Sequence, residues 1–200
     1  MKTTTKLWED LYRKLGQVSL EQPSKNKVVK RTMTGSRGYR KRATRIVEEL
    51  SIQYSILEIG CGYGGLAQEI MKKVPVLYTV VDNKAMLTQA KKFLGDRVEY
   101  VEAEKINTLR GRRFGLFIAH YCLSETPAGY RRYVLKNIVM NCQRVSIRDL
   151  DDGFQLTRRM VKDGYEVASV DTEEWLRKYF TIEKTRTGKN QSLYTGERLE

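Results

Sequence analysis

From Ser55 onward the chain alternates between short apolar runs and amphipathic stretches, and this alternation restricts the folds that it can form. Runs rich in β-branched and aromatic residues predict strands, whereas apolar residues that recur every three or four positions predict helices. Strands that alternate with helices at this spacing are typical of a parallel sheet covered on both faces, which predicts an α/β fold. The predicted strands are residues 55–60, 76–82, 98–103, 114–121, 143–150, 180–186 and 191–196.

Residues that begin or end helices mark the segments between these strands. Asn83 precedes an apolar helical face that runs from Met86 to Leu94, and Gly95 follows that face. Because asparagine caps helix starts and glycine ends helices, the pattern predicts a capped helix here. Further helices are predicted over residues 66–71, 127–141 and 156–164.

Positive charge is concentrated in the first quarter of the chain. The 37 Lys and Arg against 24 Asp and Glu give a net charge of +13, and residues 1–50 carry 13 of the basic residues but only 5 acids. Residues 51–200 have an ordinary mixed composition, so the sequence predicts a basic N-terminal segment, 1–50, before a single folded domain, 51–200. A basic surplus indicates an anionic partner, either a small molecule or a nucleic acid.

The basic segment allows three interpretations. Helices are predicted near residues 7–15 and 40–50, with a long loop between them. The basic residues could form a solvated face without a role, or a lid that presents Arg37, Tyr39 and Arg40 to an anionic group of a substrate. A third possibility is that residues 25–45 form an arm that follows the phosphate backbone of RNA, although Tyr39 is the only aromatic residue in that stretch for stacking on bases.

The cysteine and histidine content disfavours a zinc site or a disulfide framework. Cys61, Cys122 and Cys142 are widely spaced, and His120 is the single histidine. A reducing compartment is therefore expected, and no metal is predicted. Charged residues interrupt the apolar positions of the N-terminus, which predicts neither a signal peptide nor a membrane span, so a cytoplasmic location is expected.

A glycine-rich turn lies where the first predicted strand meets the first helix of the domain. Gly60, Gly62 and Gly64 allow a tight turn that a ligand can approach without interference from a Cβ atom. Asp82 ends the second strand about twenty residues later, where an acid can accept hydrogen bonds from two ribose hydroxyls. Glu104 follows the third strand, where a carboxylate could accept from an adenine amino group. These positions predict a ligand that contains a nucleoside, whereas a helix-terminal acid and a solvated loop acid are the structural alternatives.

The pattern Glu58-x-Gly60-x-Gly62-x-Gly64, followed by Asp82, resembles the class I S-adenosylmethionine-dependent methyltransferases over residues 52–197. The resemblance implies S-adenosylmethionine as cofactor and a Rossmann-like seven-stranded sheet, mostly parallel with an antiparallel last strand, preceded by a helical lid. The cofactor-binding residues that it implies are Glu58, Gly60, Cys61, Gly62, Gly64, Asp82, Asn83, Glu104 and His120.

Three further segments are similar to the sugar O-methyltransferases: LEIGCGYGGLA, FGLFIAHYCLSET and GKNQSLYTG. In that family the fourth strand leads to a Ser-Glu pair, here Ser124-Glu125, and an asparagine, here Asn190, precedes the last strand. Gly115 departs from the pattern, because an aspartate usually follows the phenylalanine that opens the fourth strand. This likeness implies a small hydroxylated, sugar-like acceptor that is methylated on oxygen.

Transfer of a methyl group to an alcohol benefits from a general base near the acceptor. Ligands bind at the carboxyl ends of the strands in such sheets, and the candidate catalytic residues there are His120, Glu125 and Asp149. Tyr121 and Ser124 are predicted to contact the acceptor. The unperturbed pKa of histidine, near ~6.5, suits a base, but a single histidine can equally be a packing residue. Asp149 could instead pair with Arg148 or Arg158.

Two other functions remain open from the sequence alone. An RNA methyltransferase would use the basic N-terminal arm, and a methyltransferase-like domain without turnover would bind a nucleoside or a protein partner. The fourth strand leads to His120-Tyr121-Cys122-Leu123 rather than to an Asn-Pro-Pro-Tyr motif, which disfavours methylation of base amino groups.

Overall fold

A computed structural model of the 200-residue chain describes residues 37–49, 55–123, 126, 128–150, 172–188 and 191–200. The helices are α1 (Arg37–Glu49), α2 (Gly65–Met71), α3 (Lys84–Leu94), α4 (Ala128–Asn137) and α5 (Thr172–Tyr179). The strands are β1 (Ser55–Ile59), β2 (Leu77–Asp82), β3 (Glu99–Glu102), β4 (Phe114–His120), β5 (Cys142–Leu150), β6 (Phe180–Gly188) and β7 (Gln191–Arg198). Short 3-10 turns cover Gly95–Arg97, Ala103–Leu109 and Val139–Asn141.

The seven strands form one sheet in the order β3-β2-β1-β4-β5-β7-β6. Within it β1 pairs parallel with β4, β4 with β5, and β2 with β3. The last strand, β7, runs antiparallel to both of its neighbours, β5 and β6. The predicted Rossmann-like architecture, a mostly parallel seven-stranded sheet with an antiparallel last strand, is therefore confirmed.

The predicted elements match the observed ones closely, with two differences. The helix predicted to reach Asn141 ends at Asn137, because Ile138 has a φ of −114° and the chain continues as a 3-10 turn. Helix α5 was not predicted, although Glu173 in its first turn and Arg177 in its last complement the helix dipole. The helices predicted near 7–15 and 156–164 lie outside the described residues.

One of two compact units contains α1, α2, β2, α3 and β3. The sequence of α1 is strongly polar, yet Ala43 and Ile46 are buried because they share one face of the helix. The ring of Tyr39 packs against Gly65 at the start of α2, so closely that a Cβ atom on Gly65 would lie 2.5 Å from it. The predicted domain boundary at residue 50 stays a prediction.

The second unit contains β1, β4, α4, β5, α5, β6 and β7. Strand β4 is buried from Leu116 to Ala119, as expected of a central strand whose two faces are both covered. At its start the backbone N–H of Gly115 donates to the hydroxyl of Ser55 over 3.2 Å. The position that departs from the sugar O-methyltransferase pattern thus joins β4 to β1 through its backbone.

Candidate functional site

The glycine turn after β1 contains three residues in the left-handed region, with φ values of 77° at Gly60, 54° at Gly62 and 76° at Gly64. Residues with a Cβ atom rarely adopt this conformation, which explains why glycine occupies these positions. A Cβ atom on Gly60 would lie 2.5 Å from Cβ of Cys122, and one on Gly64 would lie 2.6 Å from Leu94. At Gly62 a Cβ atom would meet nothing within 4 Å, so the backbone there borders open space.

Asp82 ties this turn to the end of β2. Its Oδ2 accepts a 2.8 Å hydrogen bond from the backbone N–H of Gly62, and its Oδ1 accepts from the backbone N–H of Asn83 at 2.8 Å. Burial raises the pKa of Asp82 to about 6, although the hydrogen bonds from Gly62, Asn83 and Cys61 act in the opposite direction. A buried carboxylate thus orients the glycine turn from a position twenty residues further along the chain.

Asn83 has a structural role that its sequence position predicted. Its side-chain oxygen accepts a 3.0 Å hydrogen bond from the backbone N–H of Met86, which caps α3, and its Nδ2 donates to Asp82 over 3.2 Å. The cap fixes the side chain of Asn83 and places an additional donor on the acid. Its role in binding a cofactor stays a prediction.

The other residues predicted to bind the cofactor differ in exposure. Glu58 is buried in β1, where it is in register with Ile118 of β4. Cys61 is also buried, and its thiol hydrogen-bonds to Asp82 and contacts the carbonyl oxygen of Gly62 at 3.6 Å. Glu104 is exposed in the first turn of the 3-10 segment that follows β3.

His120 is the last residue of β4 and is partly exposed. It is in register with Arg148 of β5, and its Nε2 lies 3.0 Å from Oγ of the fully buried Ser146. Because Ser146 belongs to the interior of β5, this contact holds one ring nitrogen in a fixed place. The other nitrogen, Nδ1, therefore has a defined direction.

Tyr121 has a φ of 63°, the only described residue other than glycine with a positive φ. Its backbone N–H donates a 2.7 Å hydrogen bond to the carbonyl oxygen of Arg148, whose guanidinium carbon lies 4.8 Å from the centre of the tyrosine ring. A bulky residue in this conformation costs roughly 1–3 kcal/mol, so the surrounding contacts must hold it. The sequence indicates Arg148 only as a possible partner of Asp149. Because side chains alternate along a strand, the two neighbouring residues point to opposite faces, and this alternation is the signal that could have distinguished their roles.

Asp149 is buried on β5 and follows Arg148, so it lies on the opposite face of the strand. Burial lowers the pKa of Arg131 in α4, and the charge of Asp149 opposes that effect. This placement indicates that Asp149 stabilises a buried arginine, and its predicted catalytic role stays a prediction.

The residues predicted to contact the acceptor lie in two parts of the chain. Arg37 and Arg40 are exposed on α1, where Tyr39 packs against Gly65 and lies 4.5 Å from the guanidinium carbon of Arg42. Ser124 and Glu125 lie outside the described residues, and Tyr121 is partly exposed. The acceptor-binding assignments all stay predictions.

The three cysteines are buried thiols that form no disulfide, and burial raises the pKa of the Cys142 thiol to about 12. In the described ranges, no group of three or more His, Cys, Asp or Glu residues is placed to hold a metal ion. The described helices also include none that is long and apolar enough to cross a membrane.

Comparisons with known proteins give matches only to solved structures. No protein-family model matches the chain, and no curated protein does. The N-methyltransferase NodS from Bradyrhizobium japonicum WM9, crystallised with S-adenosyl-L-homocysteine, is 15% identical over 91% of this chain and 97% of its own, with a TM-score of 0.67. An O-methyltransferase family protein from Burkholderia thailandensis is 14% identical over 98% of this chain and 70% of its own, with a TM-score of 0.59.

A third solved structure carries a phosphorylated ligand. Phospholethanolamine N-methyltransferase 2 from Haemonchus contortus, in complex with phosphomonomethylethanolamine and S-adenosylhomocysteine, is 12% identical over 100% of this chain and 61% of its own, with a TM-score of 0.69. At such identities the likeness establishes a shared fold. The chain therefore has the fold of these methyltransferases, which differ among themselves in the atom that they methylate.

Proposed function

We propose that the chain is a methyltransferase that uses S-adenosylmethionine. The observation that carries this proposal is the glycine turn that Asp82 orients, in a fold shared with proteins crystallised with S-adenosylhomocysteine. A Cβ atom on Gly62 would meet no neighbour within 4 Å. This space is compatible with close approach of a ligand to the backbone.

The residues of the turn fit such a cofactor chemically. A carboxylate accepts about four hydrogen bonds, and Asp82 already has three nitrogen donors and the Cys61 thiol, so a ribose hydroxyl would bind it in place of the weak thiol donor. Gly60, Gly62 and Gly64 would line the methionine part, and Glu58, Cys61, Asn83 and Glu104 would flank the ligand. When bound, S-adenosylmethionine supplies a methyl group on a positively charged sulfur, and this chain's residues position the acceptor for in-line transfer.

We further propose that the acceptor is a small hydroxylated molecule, sugar-like as the sequence resemblance implies, and that His120 is its general base. Nε2 of His120 lies against Ser146, so in the neutral tautomer with a proton on Nε2 that group donates to the serine hydroxyl. Nδ1, which is buried in this structure, would then carry the lone pair that takes the hydroxyl proton, while the oxygen–methyl bond forms, the methyl–sulfur bond breaks and S-adenosylhomocysteine leaves.

Calorimetric titration with S-adenosylhomocysteine tests the cofactor assignment. The wild-type protein should bind it, and Asp82→Ala should weaken binding by about a hundred-fold, since it removes a buried acceptor and releases the glycine turn. Asp96→Ala is the matched control, because Asp96 is an exposed acid whose carboxylate pairs with Lys91 over 3.2 Å. Unchanged affinity in Asp82→Ala, or no binding by the wild type, would refute the assignment.

Release of S-adenosylhomocysteine from a panel of acceptors tests the acceptor class. The panel contains sugars, sugar phosphates, phenols, amines and RNA. Turnover with hydroxylated small molecules is expected. Turnover confined to amines would overturn methylation on oxygen, and turnover confined to RNA would establish the role of the basic N-terminal segment instead.

A further inference from the structure

Arg148 and Tyr121 form a stacked pair beside His120, and all three side chains are partly exposed. His120 and Arg148 occupy directly neighbouring positions on the parallel strands β4 and β5. Neighbouring positions on adjacent strands are about 4.8 Å apart, so the proposed base and a positively charged group lie side by side at the carboxyl ends of these strands. Ligands of open α/β sheets bind at these ends.

Two separate contacts hold Arg148 in this place. Its carbonyl oxygen accepts the backbone N–H of Tyr121 over 2.7 Å, and its guanidinium lies over the ring of the same residue at 4.8 Å. Tyr121 can make both contacts because it adopts the left-handed conformation, with a φ of 63°. Strained backbone of this kind persists where surrounding structure enforces it and is concentrated at functional sites.

The chemistry of the pair suits an oxyanion. A guanidinium presents a planar set of N–H donors that matches phosphate or carboxylate oxygens in pairs, and stacking on an aromatic ring orients that plane. The net charge of +13 on the chain favours the approach of anions from solution.

We propose that Arg148 binds an oxyanion of the methyl acceptor and so selects phosphorylated or carboxylated hydroxyl compounds. This inference rests on the proposed function, because it places the anion beside the base His120. Tyr121 is the positioning residue that fixes the plane of the guanidinium.

Nuclear magnetic resonance of the histidine ring tests the proposal without a known acceptor. His120 is the single histidine, so protein labelled at histidine gives one set of ring signals. Titration of the full chain with inorganic phosphate should shift these signals in a saturable manner. A second titration with acetate distinguishes a phosphorylated acceptor from a carboxylated one. Tighter phosphate binding indicates the former, and tighter acetate binding indicates the latter.

Arg148→Met should weaken binding of the tighter-binding anion by about ten-fold or more, because it removes the positive charge and the N–H donors while keeping an apolar stem against Tyr121. Arg148→Lys, which keeps the charge but lacks the planar fork, should weaken it less and serves if the methionine variant fails to fold. Arg144→Met is the control, since Arg144 lies four residues earlier on β5 and pairs with Glu197. It should leave the titration unchanged.

Three results would overturn the proposal. These are the absence of a saturable shift with either anion, an undiminished shift in both Arg148 variants, and equal weakening by Arg144→Met. Calorimetry with S-adenosylhomocysteine on the same samples tests the proposed function separately, because Arg148→Met should leave the affinity for S-adenosylhomocysteine unchanged. Loss of cofactor binding in the wild type with an intact anion titration would refute the methyltransferase and leave Arg148 as an anion site.

Discussion

The glycine turn and the ends of β4 and β5 are two regions built by opposite means. The turn is built from backbone: three left-handed glycines, of which Gly62 donates its N–H to a buried acid. The strand ends are built from side-chain contacts between the end of β4 and β5, in which His120 contacts Ser146 and Tyr121 contacts Arg148. The difference shows that a region formed by backbone conformation leaves a motif in the sequence, whereas a region formed by contacts between neighbouring strands does not.

The same contrast extends to strain. In the turn, positive φ angles occur at glycines, where they cost little. At the end of β4 the positive φ belongs to Tyr121, where it costs roughly 1–3 kcal/mol and is held by contacts with Arg148. Substitutions should therefore act on the turn through sterics and on the strand ends through lost side-chain partners.

The largest effect is expected on turnover. His120→Gln keeps a polar side chain but removes the base, so the rate with an acceptor from the panel should fall by about 10²–10⁴-fold. S-adenosylhomocysteine affinity, measured as a control, should stay unchanged; a parental rate in the variant would make His120 a structural residue.

Asp149→Ala should lower the free energy of unfolding by about 3–5 kcal/mol, because it removes an acid whose charge favours the ionised form of the buried Arg131. Chemical denaturation measures this change. The double variant Asp149→Ala with Arg131→Leu should recover a large part of the loss, since it removes the unpaired charge as well. Additive losses in the double variant would contradict the coupling, and full stability with lost turnover would support catalysis by Asp149.

Gly60→Ala should destabilise the protein by about 3 kcal/mol, from the left-handed backbone and from a Cβ atom placed 2.5 Å from that of Cys122. Gly111→Ala separates these causes, because Gly111 has a φ of 78° and open space around it. The control should lose only about 1–2 kcal/mol in the same denaturation experiment. Equal losses would show that close packing at the turn is unimportant.

The raised pKa of Asp82 predicts a pH dependence of stability with a definite sign. Burial raises the pKa from 3.8 in its ordinary state to about 6, so the native state retains a proton that the unfolded state releases. The free energy of unfolding of the wild type should therefore fall by on the order of 2–3 kcal/mol, relative to that of Asp82→Asn, as the pH rises from about 4 to above 6. Denaturation curves of both proteins over this range measure it; a constant difference would mean an ordinary pKa.

The smallest effect is expected at the cap of α3. Asn83→Ala removes the oxygen that accepts the N–H of Met86 and should cost about 1 kcal/mol in unfolding free energy. Asn83→Asp retains an acceptor and should restore a large part of that loss, unless repulsion from Asp82 dominates. A loss above about 3 kcal/mol in the alanine variant would show that Asn83 supports the acid more than the helix.

The fold and the turn could be predicted because their signals are local. Alternating apolar runs placed the strands within a few residues of their observed bounds, and Asn83 and Gly95 marked the ends of α3. Helix α5 was missed because it is short and has few apolar residues, of which Leu176 is buried. Asp82 was predicted to end the second strand, and it does, but its hydrogen bond to Gly62 was not predicted, because it joins residues twenty positions apart.

The sequence by itself determined the order of strands and helices, the glycine turn and the acid that ends β2, because hydrophobic period, caps and glycine freedom act over a few residues. Only the tertiary structure decided which polar residues meet. The parallel register of β4 and β5 brings Ser146 and Arg148 to His120 and Tyr121, and the pleat sends Asp149 to the opposite face. Register depends on packing across the whole sheet, so no short stretch of sequence contains it.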